Sequence, residues 1–199
     1  MVALTQRGGA LAVRVWLPLA GLALATLLAL VDARAQPAVA AEAGPAESQI
    51  KAAFICKFGN YVEWPTGRKS ADAAFVIGAL TGSAGVEELT RAAVGRTVNG
   101  RPIVVRQLGP RDAIDDVAIL YVARSHPAPL AETLAAARRR PILTITEADD
   151  ALAVGGIVNF VVVDDRVRFD IALPAAEQGN LKISGRLLAL ARKVVGAPS

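Results

Sequence analysis

Residues 117–123 read Val-Ala-Ile-Leu-Tyr-Val-Ala and contain no charged side chain. A strand with one face in water alternates apolar and polar residues, whereas a strand covered on both faces is apolar throughout. Residues 74–80, Ala-Phe-Val-Ile-Gly-Ala-Leu, form a second run of the same kind. The two runs therefore predict strands that are buried on both faces of a sheet.

Outward from these runs, strand-like and helical patterns alternate along the chain. The predicted helices cover 50–64, 86–94, 129–139 and 183–195, and the other predicted strands cover 102–108, 142–146, 157–163 and 167–173. Asp164, Asp165 and Arg166 separate the last two strands and predict a β-hairpin. The expected fold class is α/β: a single three-layer sandwich with a mixed, mostly parallel sheet, an antiparallel hairpin at one edge and helices on both faces.

The N-terminus carries the pattern of an export signal. Two arginines precede an apolar run at 15–31, and Ala-Arg-Ala follows at 33–35. This order predicts a secretory signal peptide over 1–35, cleaved after its last residue; an uncleaved membrane anchor is the alternative. Residues 36–47 are rich in Ala and Pro and predict a flexible lead-in, and one folded domain is expected over 48–196.

Removing the leader changes what the charge implies. The chain of 199 residues has a formal net charge of +4 and a pI near 9.6, a balance that at first suggests nucleic acid. Cleavage leaves 164 residues and removes Arg7, Arg14, Arg34 and Asp32, so the net charge falls to +2. A nearly neutral domain has no electrostatic reason to bind nucleic acid. We expect no nucleic-acid partner.

No catalytic or metal-binding arrangement is visible in the sequence. The single Cys, Cys56, rules out a disulfide framework within the chain and is expected to be inert, with an intermolecular disulfide as the alternative. The chain has a single His, His126, but no Gly-x-Ser-x-Gly turn that would supply a catalytic serine. A hydrolase is therefore the least favoured interpretation. The acidic pairs at 115–116, 149–150 and 164–165 fit turns better than cation sites. We therefore expect no enzyme, no metal and no cofactor.

An aromatic stripe is the first candidate binding surface. Phe54, Phe58, Tyr61 and Trp64 place four aromatic rings on or beside the first predicted helix. Core packing is the default interpretation of such a stripe, and a groove for a partner or ligand is the alternative.

The start of the last predicted helix is the second candidate. Lys182, Ser184 and Arg186 lie there, where free backbone N–H groups and two cations suit an anion. Plain N-capping is the default interpretation.

Two stretches of the sequence together resemble one family. Residues 51–65, KAAFICKFGNYVEWP, are similar to the opening helix of YfiR-type proteins, in which Lys-Ala, spaced aromatics and a final Trp-Pro recur. Residues 180–184, NLKIS, followed by RLLALA at 186–191, resemble the closing helix of the same family. The resemblance extends over about 48–196, which is effectively the whole expected domain.

The resemblance implies a non-catalytic periplasmic protein that binds and represses the periplasmic sensor domain of an inner-membrane diguanylate cyclase. Repression lowers cyclic di-GMP signalling and biofilm formation. Relatives that sense redox state carry several cysteines, whereas this chain has only Cys56, so the release signal is expected to be a ligand or another protein. A homodimer and a small anionic or aromatic ligand are further candidate partners. The alternative function is a periplasmic small-molecule sensing module for another signalling partner.

Overall fold

The computed structural model describes residues 44–65, 73–127 and 129–196. The predicted signal peptide and residues 36–43 of the predicted lead-in lie outside the described residues, so cleavage after Ala35 stays a prediction. Within the described ranges, no helix is both long enough and apolar enough to cross a membrane.

The strands of the described ranges are β1 (Val62–Glu63), β2 (Phe75–Leu80), β3 (Thr97–Val98), β4 (Arg101–Gln107), β5 (Val117–Val122), β6 (Leu143–Thr146), β7 (Val158–Val163), β8 (Arg166–Ala172), β9 (Lys182–Ile183) and β10 (Lys193–Val195). The α-helices are α1 (Pro45–Phe58), α2 (Ser83–Ala93), α3 (Leu130–Ala137), α4 (Leu173–Gln178) and α5 (Gly185–Leu190).

Eight of the strands form one mixed sheet in the order β10-β8-β7-β6-β5-β2-β4-β3. Neighbouring strands run parallel except in the β7–β8 and β3–β4 pairs, which are antiparallel. The strands β1 and β9 pair with each other in a separate antiparallel sheet. This arrangement confirms the predicted α/β sandwich with a mixed, mostly parallel sheet.

Both faces of the central strands are covered, as their continuous apolar sequence predicts. All six residues of β5 are buried. Alternate side chains of β5 enter two separate apolar clusters: Ile119 packs with residues of α1 and α2, and Leu120 packs with Ala137 of α3. Because successive side chains of a strand point to opposite faces, α1 and α2 cover one face of the sheet and α3 covers the other.

The predicted hairpin is present as β7 and β8, with Val163 paired to Arg166. Asp164 and Asp165 have φ values of 50° and 55°, the left-handed backbone that a two-residue hairpin turn requires and that Asp tolerates better than most residues. The hairpin does not end the sheet, however, because the short strand β10 pairs with the outer side of β8. The outermost position therefore belongs to a strand of three residues.

The first helix differs from the prediction at both ends. It begins at Pro45, so the last three residues of the predicted lead-in are helical; proline suits the first helical turn because its fixed φ matches the helix and no N–H is needed there. It ends at Phe58 rather than Trp64, since Gly59–Tyr61 form a 3-10 turn and the next two residues join the β1–β9 pair.

The apolar spacing along this helix predicts a buried face with Ile50, Phe54 and Phe58 and places Cys56 on the opposite face, and this prediction is wrong for Ile50 and Cys56. Ile50, expected on the buried face, is 46% exposed, whereas Cys56, expected on the opposite face, is 1% exposed. Helix α1 packs against α2 as well as against the sheet, so its buried surface extends over both sides of the predicted face.

The single helix predicted over 183–195 is wrong. This segment contains β9, the six-residue helix α5 and β10. Arg192 donates its backbone N–H to the Phe169 carbonyl over 2.8 Å, and the following residues pair with β8. Pairing with a distant strand thus overrides the local helical pattern.

Candidate functional site

The structure brings together the two segments that carry the family resemblance. Strand β1 pairs with β9, which places Val62 opposite Ile183 and Glu63 opposite Lys182. The Ser184 N–H also donates to the Tyr61 carbonyl over 2.9 Å. Predicted site residues that are about 120 positions apart in the sequence are therefore neighbours across one short ladder.

Phe58 is a core residue, and its predicted contact with a partner is not available in this fold. Its side chain is 2% exposed. The centroid of the Phe58 ring lies 5.8 Å from the ring centroid of Phe54, 6.0 Å from that of Phe160 and 5.0 Å from that of Phe169. For Phe54 and Phe58, core packing is therefore the correct interpretation of the aromatic stripe, because α1 turns these rings toward the β7–β8 hairpin.

Tyr61 and Trp64 are half-buried at the end of the stripe. The Trp64 ring meets the Phe75 ring edge-on at 5.3 Å. The Trp64 Nε1 atom is buried and has no hydrogen-bond partner among the residues that the structure describes. A role for these two residues in binding a partner or ligand stays a prediction.

Ser184 caps α5, as the default interpretation expects: its Oγ accepts the Leu187 N–H over 3.3 Å. Lys182 and Arg186 are exposed on either side of it. A helix of six residues has a weak dipole, and part of its N-terminal donor capacity is already used by Ser184. The binding role of Lys182, Ser184 and Arg186 stays a prediction.

Cys56 and His126 show no sign of activation. Burial raises the pKa of the Cys56 thiol to about 11, with a smaller opposing effect from Arg96. At 1% exposure the thiol has no surface for an intermolecular disulfide. Burial lowers the pKa of His126, and its Nε2 atom has no hydrogen-bond partner in the described part of the chain, so no serine–histidine pair forms there.

The acidic pairs lie at turns and in ion pairs. Arg106 holds both carboxylate oxygens of Asp116 at 2.7 and 2.6 Å, and Arg140 binds Asp115 at 2.7 Å. Asp149 pairs with Arg124 at 3.2 Å. Across the described ranges, no group of three or more His, Cys, Asp or Glu side chains is placed to hold a metal ion.

A cleft of about 880 Å³ lies beside the carboxyl ends of β2, β5 and β6. In open α/β sheets, ligands bind at this end of the strands, where the strand order reverses direction. Such a reversal occurs here, because the chain proceeds from β2 to β4 on one side while β5 lies on the other. The residues lining the cleft come from α1, the start of α2, the loops after these strands and the outer half of β7.

A buried polar chain lies against this cleft. Lys51 Nζ lies 3.0 Å from Glu147 Oε2 and 2.5 Å from Glu47 Oε1. The Tyr121 hydroxyl donates to the other oxygen of Glu147. The side chains of Lys51 and Glu147 are 6% and 9% exposed. Burial and the adjacent Glu147 raise the pKa of Tyr121, so its hydroxyl remains a hydrogen-bond donor at any physiological pH.

Sequence analysis missed this polar chain. Two signals were available: Glu47 and Lys51 are four residues apart on a helix, the spacing at which opposite charges meet, and Glu147 follows a buried strand directly at its carboxyl end. The fourth member, Tyr121, is indistinguishable in sequence from an apolar residue of β5. The contact among them requires α1 to cross the ends of β5 and β6.

Two polar side chains of the cleft are engaged by partners within the chain. Lys51 lies between the carboxylates of Glu47 and Glu147, and the Tyr121 hydroxyl donates to Glu147. The rim adds the ion pairs Arg91–Glu88 and Arg124–Asp149 and the exposed valines of β7. Fold and cleft together define an α/β sandwich domain with a charged cleft at the carboxyl ends of its central strands.

The chain belongs to the YfiR/HmsC-like family, whose family model matches residues 48–192. The matched region contains most of α1, most of the residues that line the cleft, and the β1–β9 ladder. The comparison with curated proteins finds no match. Membership in this family indicates a regulatory protein of the signalling type.

Proposed function

We propose that this protein is a non-catalytic regulator of the periplasm that binds the periplasmic sensor domain of an inner-membrane diguanylate cyclase and represses the enzyme. The family match over 48–192 is the observation that carries the proposal, because it extends over the described domain almost from end to end. The cleft supports it, since Lys51 contacts two carboxylates and Tyr121 donates to Glu147, so both side chains already have partners within the chain.

Repression of this kind works by differential binding. A repressor that prefers the inactive state of the cyclase shifts the population toward that state, and a ligand with equal affinity for both states shifts nothing. A preference of about 5.5 kcal/mol moves the cyclase from 1:99 to 99:1 in favour of the inactive state. One surface of ordinary interface size supplies such a difference without any covalent chemistry.

The test is a gene deletion in the organism that encodes the chain. Removing the gene is expected to raise cellular cyclic di-GMP and surface attachment, and the wild-type gene supplied in trans is expected to reverse both. Deleting the cyclase as well is expected to abolish the rise, which identifies the enzyme under control. Unchanged cyclic di-GMP in the single deletion would exclude the proposed repression.

A second candidate function is a periplasmic sensing module that binds a small molecule and signals to another partner. The observation that favours it is the cleft itself, whose volume of about 880 Å³ lies within the range of small-molecule sites. Thermal-shift measurements on the purified chain with a library of metabolites distinguish the two, because a sensing module is stabilised by its ligand without any protein partner.

A further inference from the structure

Strand β7 extends past its neighbour on one side. The pairing of β6 with β7 ends where Thr146 meets Asn159, whereas β7 continues to Val163. On its other side, β7 stays paired with β8 along its whole length. The outer half of β7, which we define as Phe160–Val163, therefore has a strand on one side and lines the cleft on the other.

The backbone groups that point into the cleft follow from the hairpin turn. In a two-residue hairpin the residues that flank the turn exchange two hydrogen bonds, so Val163 and every second residue before it point toward β8. The bond from the Ala172 N–H to the Ile157 carbonyl confirms this alternation. The N–H and C=O of Val162 point the opposite way, toward the side where β6 has already ended. No backbone partner for Val162 occurs on that side within the described ranges.

The side chains around this gap define what would fit it. Val162 and Val163 are 50% and 36% exposed beside the free backbone groups. Because the two residues are consecutive, Val162 lies on the face that α1 covers, as Phe160 does, and Val163 lies on the opposite face. The cleft lining carries five carboxylates and four basic side chains in the described residues, and one of the four, Arg192, is paired with Asp170 outside the lining. The lining thus has an excess of one negative charge, or of two when the paired Arg192 is set aside. The carboxylate of Glu147 lies at the floor, and that of Glu87 is exposed without an ion pair among the described residues.

We propose that this gap receives an extended, basic segment of a partner protein, which adds as a strand to the outer half of β7. A strand satisfies the free N–H and C=O of Val162. Its apolar side chains pack beside Val163 on one face of the sheet, and its Lys or Arg side chains face Glu147 and Glu87 on the other face, which α1 and α2 cover. The inference goes beyond the proposed function, because it rests on the cleft alone and holds whichever protein supplies the segment.

The test uses two synthetic pentapeptides and the purified exported chain. Acetyl-Val-Lys-Val-Lys-Val-amide is expected to bind saturably by isothermal titration calorimetry with a Kd below about 1 mM. The matched acidic peptide, with Glu in place of Lys, is expected to bind at least about tenfold more weakly, as the loss of one charged interaction implies. No saturable binding of the lysine peptide, or equal binding of both peptides, would overturn the proposal.

Substitution at Val162 tests strand addition specifically. Val162→Pro removes the N–H on the side of the cleft but leaves the hydrogen bonds to β8. It is expected to reduce the affinity for the lysine peptide at least about tenfold. Val162→Thr keeps that N–H, so it is expected to bind the lysine peptide at least about tenfold more tightly than Val162→Pro does. If circular dichroism shows that Val162→Pro does not fold, the wild-type chain is titrated instead with lysine peptides N-methylated at successive positions. At least one of these peptides is expected to bind at least about tenfold more weakly than the unmethylated peptide. Unchanged affinity in these tests would refute strand addition. If the wild-type chain is a dimer and the Val162→Pro variant is a monomer, the edge of β7 binds a second copy of the chain instead.

Discussion

Replacing Lys51 by Met tests how the buried polar chain beside the cleft is held together. The substitution keeps the length and apolar stem of the side chain but removes the cation between Glu47 and Glu147. Glu147 is the more consequential partner, because its side chain is 9% exposed whereas that of Glu47 is 28% exposed and better solvated. Removing one member of a buried ion pair costs about 3–5 kcal/mol, since the other charge stays buried without its partner.

The size of the effect decides how it is measured. Each kcal/mol shifts the Tm of a domain near 150 residues by about 2–4 °C, so Lys51→Met is expected to lower Tm by about 6–20 °C. Chemical unfolding followed by circular dichroism gives the corresponding free energy of unfolding. Lys57→Met is the matched control: Lys57 is exposed on the same helix, and its replacement is expected to change stability by no more than about 0.5 kcal/mol.

A double-mutant cycle separates the ion pair from the packing. Glu147→Gln keeps a hydrogen-bond acceptor for Tyr121 and removes the buried charge. The double variant Lys51→Met/Glu147→Gln is therefore expected to be more stable than the two single losses predict, by at least about 1 kcal/mol. A coupling near zero, or a Lys51→Met loss no larger than that of Lys57→Met, would refute the argument that Lys51 stabilises Glu147.

Three further predictions follow from burial and from the sequence pattern. Phe58→Ala is expected to lower the free energy of unfolding by about 3–5 kcal/mol, because the ring packs among other aromatic rings in the core. Ile50→Ala on the same helix is expected to lower it by less than about 1 kcal/mol, because Ile50 is exposed. Equal losses for the two variants in chemical unfolding would contradict the placement of Phe58 in the core. The buried Cys56 thiol, with its pKa raised to about 11, is expected to resist maleimide labelling of the native protein at pH 7.5 and to react at the same pH once urea unfolds the chain. Rapid labelling of the native protein at pH 7.5 would show that the thiol is accessible. A chain that starts with Met followed directly by residue 36 is expected to remain in the cytoplasm and to lose the ability to complement a gene deletion, as cell fractionation would show; periplasmic recovery of that chain would contradict the assignment of 1–35 as the export signal.

Strand positions in the core were predictable because burial leaves a local trace. A strand covered on both faces has no polar residue in its sequence, so 74–80 and 117–123 could be assigned to the sheet interior, and the structure places β2 and β5 there. The turn at Asp164 and Asp165 was equally local, since two short polar residues between apolar runs suit a hairpin.

The errors occurred where pairing between distant segments overrides the local pattern. The spacing of apolar residues after Phe58 predicts that the helix continues. The helix ends instead, because Val62 pairs with Ile183 in the β1–β9 ladder. The same contact, together with the pairing of β10 to β8, divides the helix predicted over 183–195 into a strand, a short helix and another strand. A periodic pattern indicates which side chains share a face. It does not indicate which carbonyl group accepts the backbone N–H of each residue.

The candidate site was hidden for a related reason. The aromatic stripe was prominent in the sequence, yet Phe58 belongs to the core, whereas Lys51, Tyr121 and Glu147 carried no motif and meet beside the cleft. Charged residues at unrelated positions become a site only when helices and strand ends converge.

The sequence by itself determined the α/β class, the strands covered on both faces, the hairpin and the family resemblance that the family match confirms. These properties depend on side-chain polarity within a few residues or on motifs that persist along the chain. Only the tertiary structure decided where α1 ends, that the first and last motifs form one ladder, and that β7 runs past β6 beside an acidic cleft. Those features arise from hydrogen bonds and charge pairs between segments far apart in the chain, and their energies depend on distances that no local pattern contains.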